Sequence, residues 1–205
     1  MITIWGMQDS GNCYKPRLLM ALTGRPFRHR EISTLDGSTR TEAWLAKNPA
    51  GQAPLLELGD GRLLPESNAI LCFLGEGTAF VPGDPFERAT MLRWMFFEQN
   101  AHEVTVAVRR SLHVYPHRRA AASEERLRLT LEGGRAALAV MERHLAAQAF
   151  FGGERPSLAD IALYPYTSSA HEGGFDLGPL PAVRSWLARI EALPGYQPKS
   201  WRPQD

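Results

Sequence analysis

The chain has 205 residues, a length that suits one large domain or two small domains sharing an interface. Its composition, with 44% hydrophobic, 22% charged and 9% aromatic residues, is that of a globular protein and excludes the disordered and fibrous classes. The 23 basic side chains nearly balance the 22 acidic ones, so the formal charge of +1 excludes a chain-wide attraction to nucleic acid or to an anionic membrane.

The first 77 residues alternate strand and helix patterns. The predicted elements are a strand over 2–5, a loop over 6–12, a helix that ends at 24, a strand over 27–32, a short helix over 41–47, a strand over 55–58, a tight turn at 59–61, a returning strand over 62–64 and a helix from 66 to 75–77. The order β-α-β, then α, then β-β-α predicts a four-stranded mixed sheet with a parallel crossover half and a hairpin half.

Beyond residue 85 the patterns are helical and no strand is predicted. The first two predicted helices cover 86 to about 112 and 123 to about 150. A third begins at 157, and a fourth begins near 180 and ends at 194–195. Gly133 and Gly134 lie inside the second of these helices and weaken its predicted regularity. The sequence therefore predicts an α/β domain over 1–77, a linker over 78–85 and an all-helical domain over 86–205.

The cysteines and the chain start bear on the compartment. Cys13 and Cys72 lie far apart and form no Cys-x-x-Cys pair, which argues against a disulfide framework and a zinc knuckle. The histidines form no known metal motif with cysteines or carboxylates, so no metal is predicted. The first five residues lack the basic flank of a signal peptide, and no run of about 18 apolar residues follows. We expect a cytoplasmic protein with no membrane or nucleic-acid partner.

The loop over 9–15 joins the first predicted strand to the first helix, where an α/β unit presents ligand groups. Ser10 or Asn12 caps the helix, and N–H groups at such a terminus favour a nearby anion, including a thiolate. Thioredoxins carry Cys-x-x-Cys at this junction, whereas here Ser10 precedes Cys13, so no intramolecular disulfide can form. Two interpretations stay open: plain capping, and a site for a thiol brought from outside. For Cys13 itself, packing competes with a lowered thiol pKa.

Two further segments place polar groups at strand and helix boundaries. Pro54 opens the third predicted strand, and a cis peptide bond there would turn the backbone groups of Ala53 outward. Such groups can pair with an extended peptide as another strand would. The alternative interpretation of this segment is a plain surface turn with a trans peptide bond. Glu66 and Ser67 begin the next helix, where ordinary capping is the alternative to ligand binding.

In their order and separation, residues 9–15, 48–54 and 64–70 resemble the glutathione S-transferase family, and the run Pro-Glu-Ser-Asn-Ala-Ile over 65–70 is a specific part of that resemblance. The resemblance covers essentially the whole chain. It implies an α/β thioredoxin-like N-terminal domain with a four-stranded mixed sheet, followed by an all-α C-terminal domain. It also implies glutathione as the co-substrate.

By the same resemblance, five residues are expected to bind glutathione. Glu66 and Ser67 match the residues that hold its γ-glutamyl end. Pro54 matches the cis-proline of the family, and Ala53 before it holds the cysteinyl backbone. Gln52 matches a frequent side-chain contact.

Members of the family differ in the residue that meets the glutathione sulfur. The loop resembles the serine type of zeta-like proteins, with Ser10 in that role, and also the bacterial nu type, in which Asn12 takes the lead. The implied mechanism is hydrogen bonding from the Ser10 hydroxyl, the Asn12 amide and nearby backbone N–H groups to the sulfur. Such bonds favour the thiolate over the thiol without a proton transfer to serine.

In the second half, residues 151–160 resemble the buried capping motif of the family, in which Ser157 and Asp160 bracket a helix start. These two residues are expected to serve folding before chemistry.

The resemblance places the electrophile pocket between the two domains. Candidate lining residues are His102, Arg109, Tyr115 and Tyr166. A net basic run over 109–128 is interpreted as a solvated helix face, with an acidic substrate as the alternative. The family also implies a homodimer through the first long helix and the edge of the sheet domain.

The resemblance implies an enzyme, a glutathione transferase that activates the thiol for attack on an electrophilic small molecule. One alternative is a glutathione-dependent disulfide reductase. Another is a non-catalytic binding or interaction module, against which the retained Gln52, Pro54, Glu66 and Ser67 argue. Whether the activity is detoxification or a catabolic step stays open.

Overall fold

The computed structural model describes residues 1–120 and 122–203. These form two compact units: residues 1–78 together with 193–203, and residues 79–192. The sequence assigned everything from 86 to the end to the helical domain, whereas the structure groups residues 193–203 with the sheet. The reason is a set of hydrogen bonds to backbone carbonyls of this C-terminal segment, which have no signature in the sequence.

The first unit contains the predicted sheet. Its elements are β1 (Thr3–Gly6), α1 (Gly11–Leu22), β2 (Arg28–Glu31), a 3-10 turn (Ser38–Arg40), α2 (Glu42–Lys47), β3 (Leu55–Glu57), β4 (Leu63–Pro65) and α3 (Ser67–Gly75). The strand order is β2-β1-β3-β4, with β1 and β2 parallel and the other two pairs antiparallel. This confirms the four-stranded mixed sheet with a crossover half and a hairpin half.

The register of the sheet brings three chain junctions to one edge. Trp5 near the end of β1 lies opposite Leu55 at the start of β3, and Leu55 lies opposite Pro65 at the end of β4. The loop that follows β1, the residues that precede β3 and the helix start that follows β4 therefore lie at the same edge. All three are segments in which the sequence predicted ligand-binding residues.

The core of this unit lies on both faces of the sheet, because Leu55 and Leu56, consecutive residues of β3 whose side chains point to opposite faces, are both fully buried. Its fully buried side chains include Ile4, Leu18, Leu55, Leu56 and Ile70. Full burial of an aliphatic side chain of this size contributes about 1.5 to 3 kcal/mol. The helix termini that carry the polar junction residues are thereby fixed to a packed base.

The second unit is helical. Its elements are α4 (Pro85–Phe97), a π-helical segment (Glu98–Ala107), α5 (Val108–Val114), α6 (Pro116–Ala120), α7 (Glu124–Leu145), α8 (Leu158–Ser168), a 3-10 turn (Ala170–Gly173) and α9 (Pro181–Glu191). No helix in the described parts of the chain is long and apolar enough to cross a membrane.

Two helices of this unit differ from their predicted form. The single helix expected over 86–112 contains the π-helical segment in its middle. The sequence did not predict this segment, because a hydrophobic pattern does not separate i→i+4 from i→i+5 hydrogen bonding. The helix expected to reach 150 ends at Leu145, after which Phe150 forms an antiparallel bridge with Gly153.

The predicted linker is partly ordered against the helical unit. The carbonyl of Phe80 accepts a hydrogen bond of 3.0 Å from the N–H of Leu158, the first residue of α8. Asp84 caps α4 by accepting from the N–H groups of Phe86 and Glu87, each at 2.9 Å. Residues 79–84 therefore begin the second unit and do not form an independent connector.

The glycine pair inside α7 does not interrupt that helix. A Cβ at Gly133 would lie 2.6 Å from Cγ2 of Thr105, and a Cβ at Gly134 would lie 2.3 Å from the ring of Phe175. The two glycines allow the π-helical segment and an aromatic side chain to approach the backbone of α7. The pair is a packing feature of a regular helix.

We expect Gly134→Ala to lower the free energy of unfolding by about 1 to 2 kcal/mol, because the clash with Phe175 costs about 1 to 3 kcal/mol and outweighs the helix propensity of alanine, about 1 kcal/mol. Chemical denaturation measures this change. Gly83→Ala is the control, since nothing lies within 4 Å of a Cβ there. Equal or greater stability of Gly134→Ala would contradict the packing role.

Candidate active site

Ser10 lies at the N-terminus of α1 with its hydroxyl oriented by the helix. It is the N-cap residue, in extended backbone conformation, and its Oγ accepts a hydrogen bond of 3.3 Å from the N–H of Cys13. A hydroxyl has one proton to donate and two acceptor positions. The bond from Cys13 uses one acceptor position of this half-buried hydroxyl and not its proton.

Cys13 is a packing residue at this junction. Its side chain is fully buried, and burial raises the pKa of the thiol, opposed by the hydrogen bond with Ser10. A Cβ at Gly6 would lie 2.7 Å from the Cβ of Cys13, so the glycine of β1 allows the close contact. Of the two interpretations of Cys13, the structure therefore favours core packing over a reactive thiolate.

Asn12 and Ser67, predicted separately, are joined across α1 and α3. The Ser67 hydroxyl donates to Oδ1 of Asn12 at 3.5 Å and lies 3.4 Å from the ammonium nitrogen of Lys15. The first contact orients the Asn12 amide with its nitrogen directed away from Ser67. Lys15 is a fully buried cation next to the site, and no role was predicted for it from the sequence. A lysine one turn after a polar helix start was the available signal.

Glu66 has an unusual backbone conformation with a positive φ. Its φ of 73° and ψ of 112° make it the one described non-glycine residue, in 1–120 and 122–203, with positive φ. Such a conformation costs about 1 to 3 kcal/mol and is typical of binding and catalytic sites. The side chain is exposed, while Ser67 immediately after it is buried at the start of α3. The two residues thus present a carboxylate and a helix N-terminus side by side.

The segment before β3 has the predicted cis peptide bond, between Ala53 and Pro54. Neither the N–H nor the C=O of Ala53 forms a hydrogen bond with another residue within 1–120 or 122–203. Both groups therefore remain for an extended ligand. Gln52 is exposed, as a ligand contact requires.

Asn48 holds this segment in place. Its Nδ2 donates to the carbonyl of Gln52 at 2.9 Å, and its Oδ1 accepts from the N–H of Ala50 at 3.2 Å. The side chain is 2% exposed. No role was predicted for Asn48 from the sequence, although an asparagine directly before a Pro-Ala-Gly turn is a signal for such a contact.

Ser157 and Asp160 form the predicted capping box at the start of α8. The Asp160 carboxylate accepts from the Ser157 N–H and the Phe151 N–H, each at 2.8 Å, and from the Ser157 hydroxyl at 3.0 Å. It also accepts from Trp186 Nε1 at 2.9 Å. Burial raises the pKa of Asp160, although these four donors favour its ionised form. The motif connects three segments of the helical unit.

The four candidate residues for the electrophile lie in or directly after three elements of the helical unit: the π-helical segment, α5 and α8. His102 is fully buried and lies 3.0 Å from the Thr167 hydroxyl through Nε2. Arg109 donates to the Gly173 carbonyl at 2.7 Å. Tyr115 is half-buried next to His117, and Tyr166 is 8% exposed. Cavities of about 580 and 340 Å³ in this unit are lined by other residues.

No group of three or more His, Cys, Asp or Glu side chains that could hold a metal ion occurs within residues 1–120 and 122–203. The sheet edge offers hydrogen-bond donors, the Glu66 carboxylate and the N-termini of α1 and α3. Such groups bind a zwitterionic peptide and stabilise an anion.

Two family models match the chain. Residues 9–76 match the model described as "Glutathione S-transferase, N-terminal domain", and residues 120–189 match that described as "Glutathione S-transferase, C-terminal domain". The first match contains all three segments of the sheet edge.

Solved structures and a curated relative agree with these matches. A glutathione S-transferase from Pseudomonas fluorescens is 43% identical, with a TM-score of 0.93 over 97% of this chain and 98% of that chain. A theta-class enzyme from Xanthomonas axonopodis pv. citri, solved with glutathione bound, is 30% identical with a TM-score of 0.86, over 96% and 95%. The maleylacetoacetate isomerase of Rhizobium meliloti is 29% identical over 202 residues, 95% of this chain and 94% of the relative.

Proposed function

Because the chain belongs to the glutathione S-transferase family, we propose that it is a glutathione transferase whose sheet edge binds glutathione and activates its thiol. The thiolate attacks an electrophilic small molecule, so a sulfur–carbon bond forms while a leaving group departs or a double bond is saturated. The observation that carries the proposal is the register of β1, β3 and β4, which brings the three predicted segments to one edge.

The charges at the edge fit the γ-glutamyl end of glutathione, which carries one ammonium and one carboxylate. The exposed Glu66 carboxylate suits the ammonium. The start of α3 at Ser67 suits the carboxylate, because N–H groups at a helix N-terminus and the helix dipole favour an anion. The positive φ of Glu66 has a use in this proposal, because it directs the Glu66 side chain outward beside the start of α3.

The middle of the tripeptide suits Ala53. Its N–H and C=O remain available at the edge, next to β3, and an extended peptide can pair with them as another strand would. Gln52 supplies an exposed side chain beside this pairing. Binding in this position extends the cysteinyl side chain toward the loop that follows β1, since that loop lies at the same edge.

Thiol activation then falls to Ser10 and Asn12. The bond from the Cys13 N–H occupies one acceptor position of the Ser10 hydroxyl and does not use its proton. A hydrogen bond to a charged acceptor contributes about 1.5 to 3 kcal/mol, so one or two such bonds lower the pKa of a thiol by about one to two units or more. Serine need not take the proton, which passes to solvent.

A specific observation favours a second candidate, glutathione-dependent isomerisation: the relative from Rhizobium meliloti matches over nearly its whole length and is named an isomerase. The same thiolate would add to one carbon of a conjugated double bond, the remaining single bond would rotate, and elimination would release the thiolate. Glutathione is regenerated in that reaction. Analysis of products separates the two, because conjugates accumulate only in transfer, while disulfide reduction instead yields oxidised glutathione.

The assembly and the remaining site residues are also proposals. A homodimer through α4 is supported by Phe86 and Phe96, which are 81% and 64% exposed on that helix, and sedimentation of the purified protein tests it. The electrophile is proposed to contact the helical unit, where Tyr115 is accessible and His102 is buried. Both cysteines are free thiols, which supports a reducing, cytoplasmic location.

Calorimetric titration with glutathione tests the proposed function. We expect micromolar to low-millimolar affinity, weakened at least about tenfold in Glu66→Ala/Ser67→Ala because contacts to both charges of the γ-glutamyl end are lost. Glu76→Ala, an exposed glutamate at the other end of α3, is the control and should bind as the wild type does. Absence of heat at every concentration, with a melting temperature that glutathione does not change, would contradict the proposal and favour a non-catalytic module.

A further inference from the structure

The C-terminal segment, residues 195–203, packs against the loop that leads into Ser10. At the centre of this contact is Gln8, two residues before Ser10. Its Nε2 donates to the carbonyls of Lys199 and Trp201, at 2.6 and 3.4 Å. Its own N–H donates to the Glu31 carboxylate at 2.9 Å. Gln8 thus connects the loop to β2 and to the C-terminal segment.

Arg17 is the buried side chain behind this contact. It is fully buried on α1, and its guanidinium donates to the backbone carbonyl of Gln8 at 2.9 Å and to Oε1 of Gln8 at 2.7 Å. It also donates to the carbonyls of Trp201 and Lys199, at 3.0 and 3.3 Å. One planar cation therefore holds the loop and the C-terminal segment together through the fork geometry that lysine lacks.

Two ion pairs add to the contact from the solvent side. Arg202 donates to Oε1 of Gln8 at 2.6 Å and pairs with Glu31 at 2.9 Å. Lys199 pairs with Asp9, the residue directly before Ser10, at 3.0 Å. Both cations belong to the C-terminal segment. Lys199 contacts the loop, and Arg202 contacts both the loop and Glu31 of β2.

Apolar and backbone contacts fix the same segment to α1 and β2. The ring of Trp201 lies 6.0 Å from that of Phe27 in an edge-to-face arrangement, and the Tyr14 hydroxyl donates to the Gln197 carbonyl. Gly195 lies against the Ala21 carbonyl so closely that a Cβ there would approach it to 2.8 Å.

We propose that residues 195–203 form a strap that holds the loop in its glutathione-activating position, with Arg17 as the positioning residue that joins the two. This inference rests on the proposed function for its chemical consequence. The strap fixes Gln8 and Asp9 by side chains on both sides, and so fixes the position from which the Ser10 hydroxyl meets the sulfur. A misplacement of a catalytic group by about 1 Å can cost about a hundredfold in rate.

The chemistry of Arg17 supports positioning over simple core filling. A buried guanidinium is costly unless its donors are satisfied, and an aliphatic side chain would fill the same space at lower cost. Here the donors are satisfied by carbonyl and amide oxygens of two separate segments. The arrangement specifies where those segments lie relative to α1.

Hydrogen exchange of the full-length protein without glutathione tests the strap directly. Arg202→Ala removes contacts to Gln8 and Glu31 from the solvent side, so it should fold. We expect exchange of the Gln8 and Ser10 amides to become up to about fivefold faster, the effect of losing a solvent-exposed ion pair and hydrogen bond. Arg62→Ala, which removes an exposed ion pair with Asp60 in the β3–β4 turn, is the control. Unchanged exchange in Arg202→Ala would overturn the proposal.

The chemical consequence is measured on Arg202→Ala and on Arg17→Lys, with Arg62→Ala again as the unchanged control. We expect the pKa of the bound glutathione thiol to rise and kcat to fall more than the KM for glutathione rises, since the γ-glutamyl contacts are untouched. Stability loss with an unchanged thiol pKa would show a merely structural role and overturn the positioning role. Faster loop exchange in a protein that binds no glutathione at all would uphold the strap while contradicting the proposed function.

Discussion

Asp160→Ala is expected to lower the free energy of unfolding by about 3 to 5 kcal/mol, because it leaves three buried N–H donors without an acceptor at about 1 to 3 kcal/mol each. The donors are the backbone N–H groups of Phe151 and Ser157 and the indole N–H of Trp186. For a chain of this length the loss corresponds to a drop of about 10 °C in melting temperature.

Thermal and urea unfolding measure the change. Asp176→Ala is the matched control, since that carboxylate is exposed and accepts from the N–H of Gly178 in a surface turn. It should change the free energy of unfolding by about 0.5 kcal/mol or less. If Asp160→Ala melted within about 2 °C of the wild type, the capping motif would not be the main connection among its three segments.

This motif shows what spacing can and cannot predict. A serine followed three residues later by aspartate before an apolar run predicts a capping box, and the structure confirms it. The contacts of Asp160 to Phe151 and Trp186 lie 9 and 26 residues away in the chain. They depend on how α9 and the preceding loop pack, which local spacing does not describe.

The sheet was predictable because its connections have strong signals. The Gly-Asp-Gly turn predicts the β3–β4 hairpin, and the order of elements requires the parallel crossover between β1 and β2. The π-helical segment was not predictable, because its residues have the same apolar pattern as an α-helix. The C-terminal segment was assigned to the helical domain because its contacts, carbonyls bound by Arg17 and ion pairs from Lys199 and Arg202, reach residues far earlier in the chain.

The candidate site was predictable where a residue type fits only one place in a fold. A proline at a strand start and a polar pair at a helix start mark chain junctions, and register then brings the junctions together. Lys15 and Asn48 were missed because their roles depend on which neighbour they reach. For Lys15 that neighbour is Ser67, 52 residues along the chain.

The chemical role of the loop gives the second large expected effect. Ser10→Ala should raise the pKa of the bound glutathione thiol by about one to two units, because one hydrogen bond to a charged acceptor is worth about 1.5 to 3 kcal/mol and one pKa unit about 1.36 kcal/mol. At neutral pH the rate should fall with the thiolate fraction, by about three- to twenty-fivefold for a bound thiol whose pKa starts about two units below the free value of about 8.5. Asn12→Ala should give a smaller rise if the hydroxyl leads and a larger one if the amide leads.

The pKa is measured from the ultraviolet absorbance of the thiolate as the glutathione complex is titrated with base. Ser10→Thr keeps the hydroxyl and should restore the low pKa, which separates thiolate stabilisation from the loss of the helix cap, itself worth about 1 kcal/mol of stability. Thr23→Ala removes a hydroxyl at the opposite end of α1, where it bonds to the Leu19 carbonyl, and should leave the thiol pKa unchanged. A thiol pKa that stays low in both Ser10→Ala and Asn12→Ala would assign activation to the helix N-terminus alone, because the N–H groups of α1 are then the donors that remain.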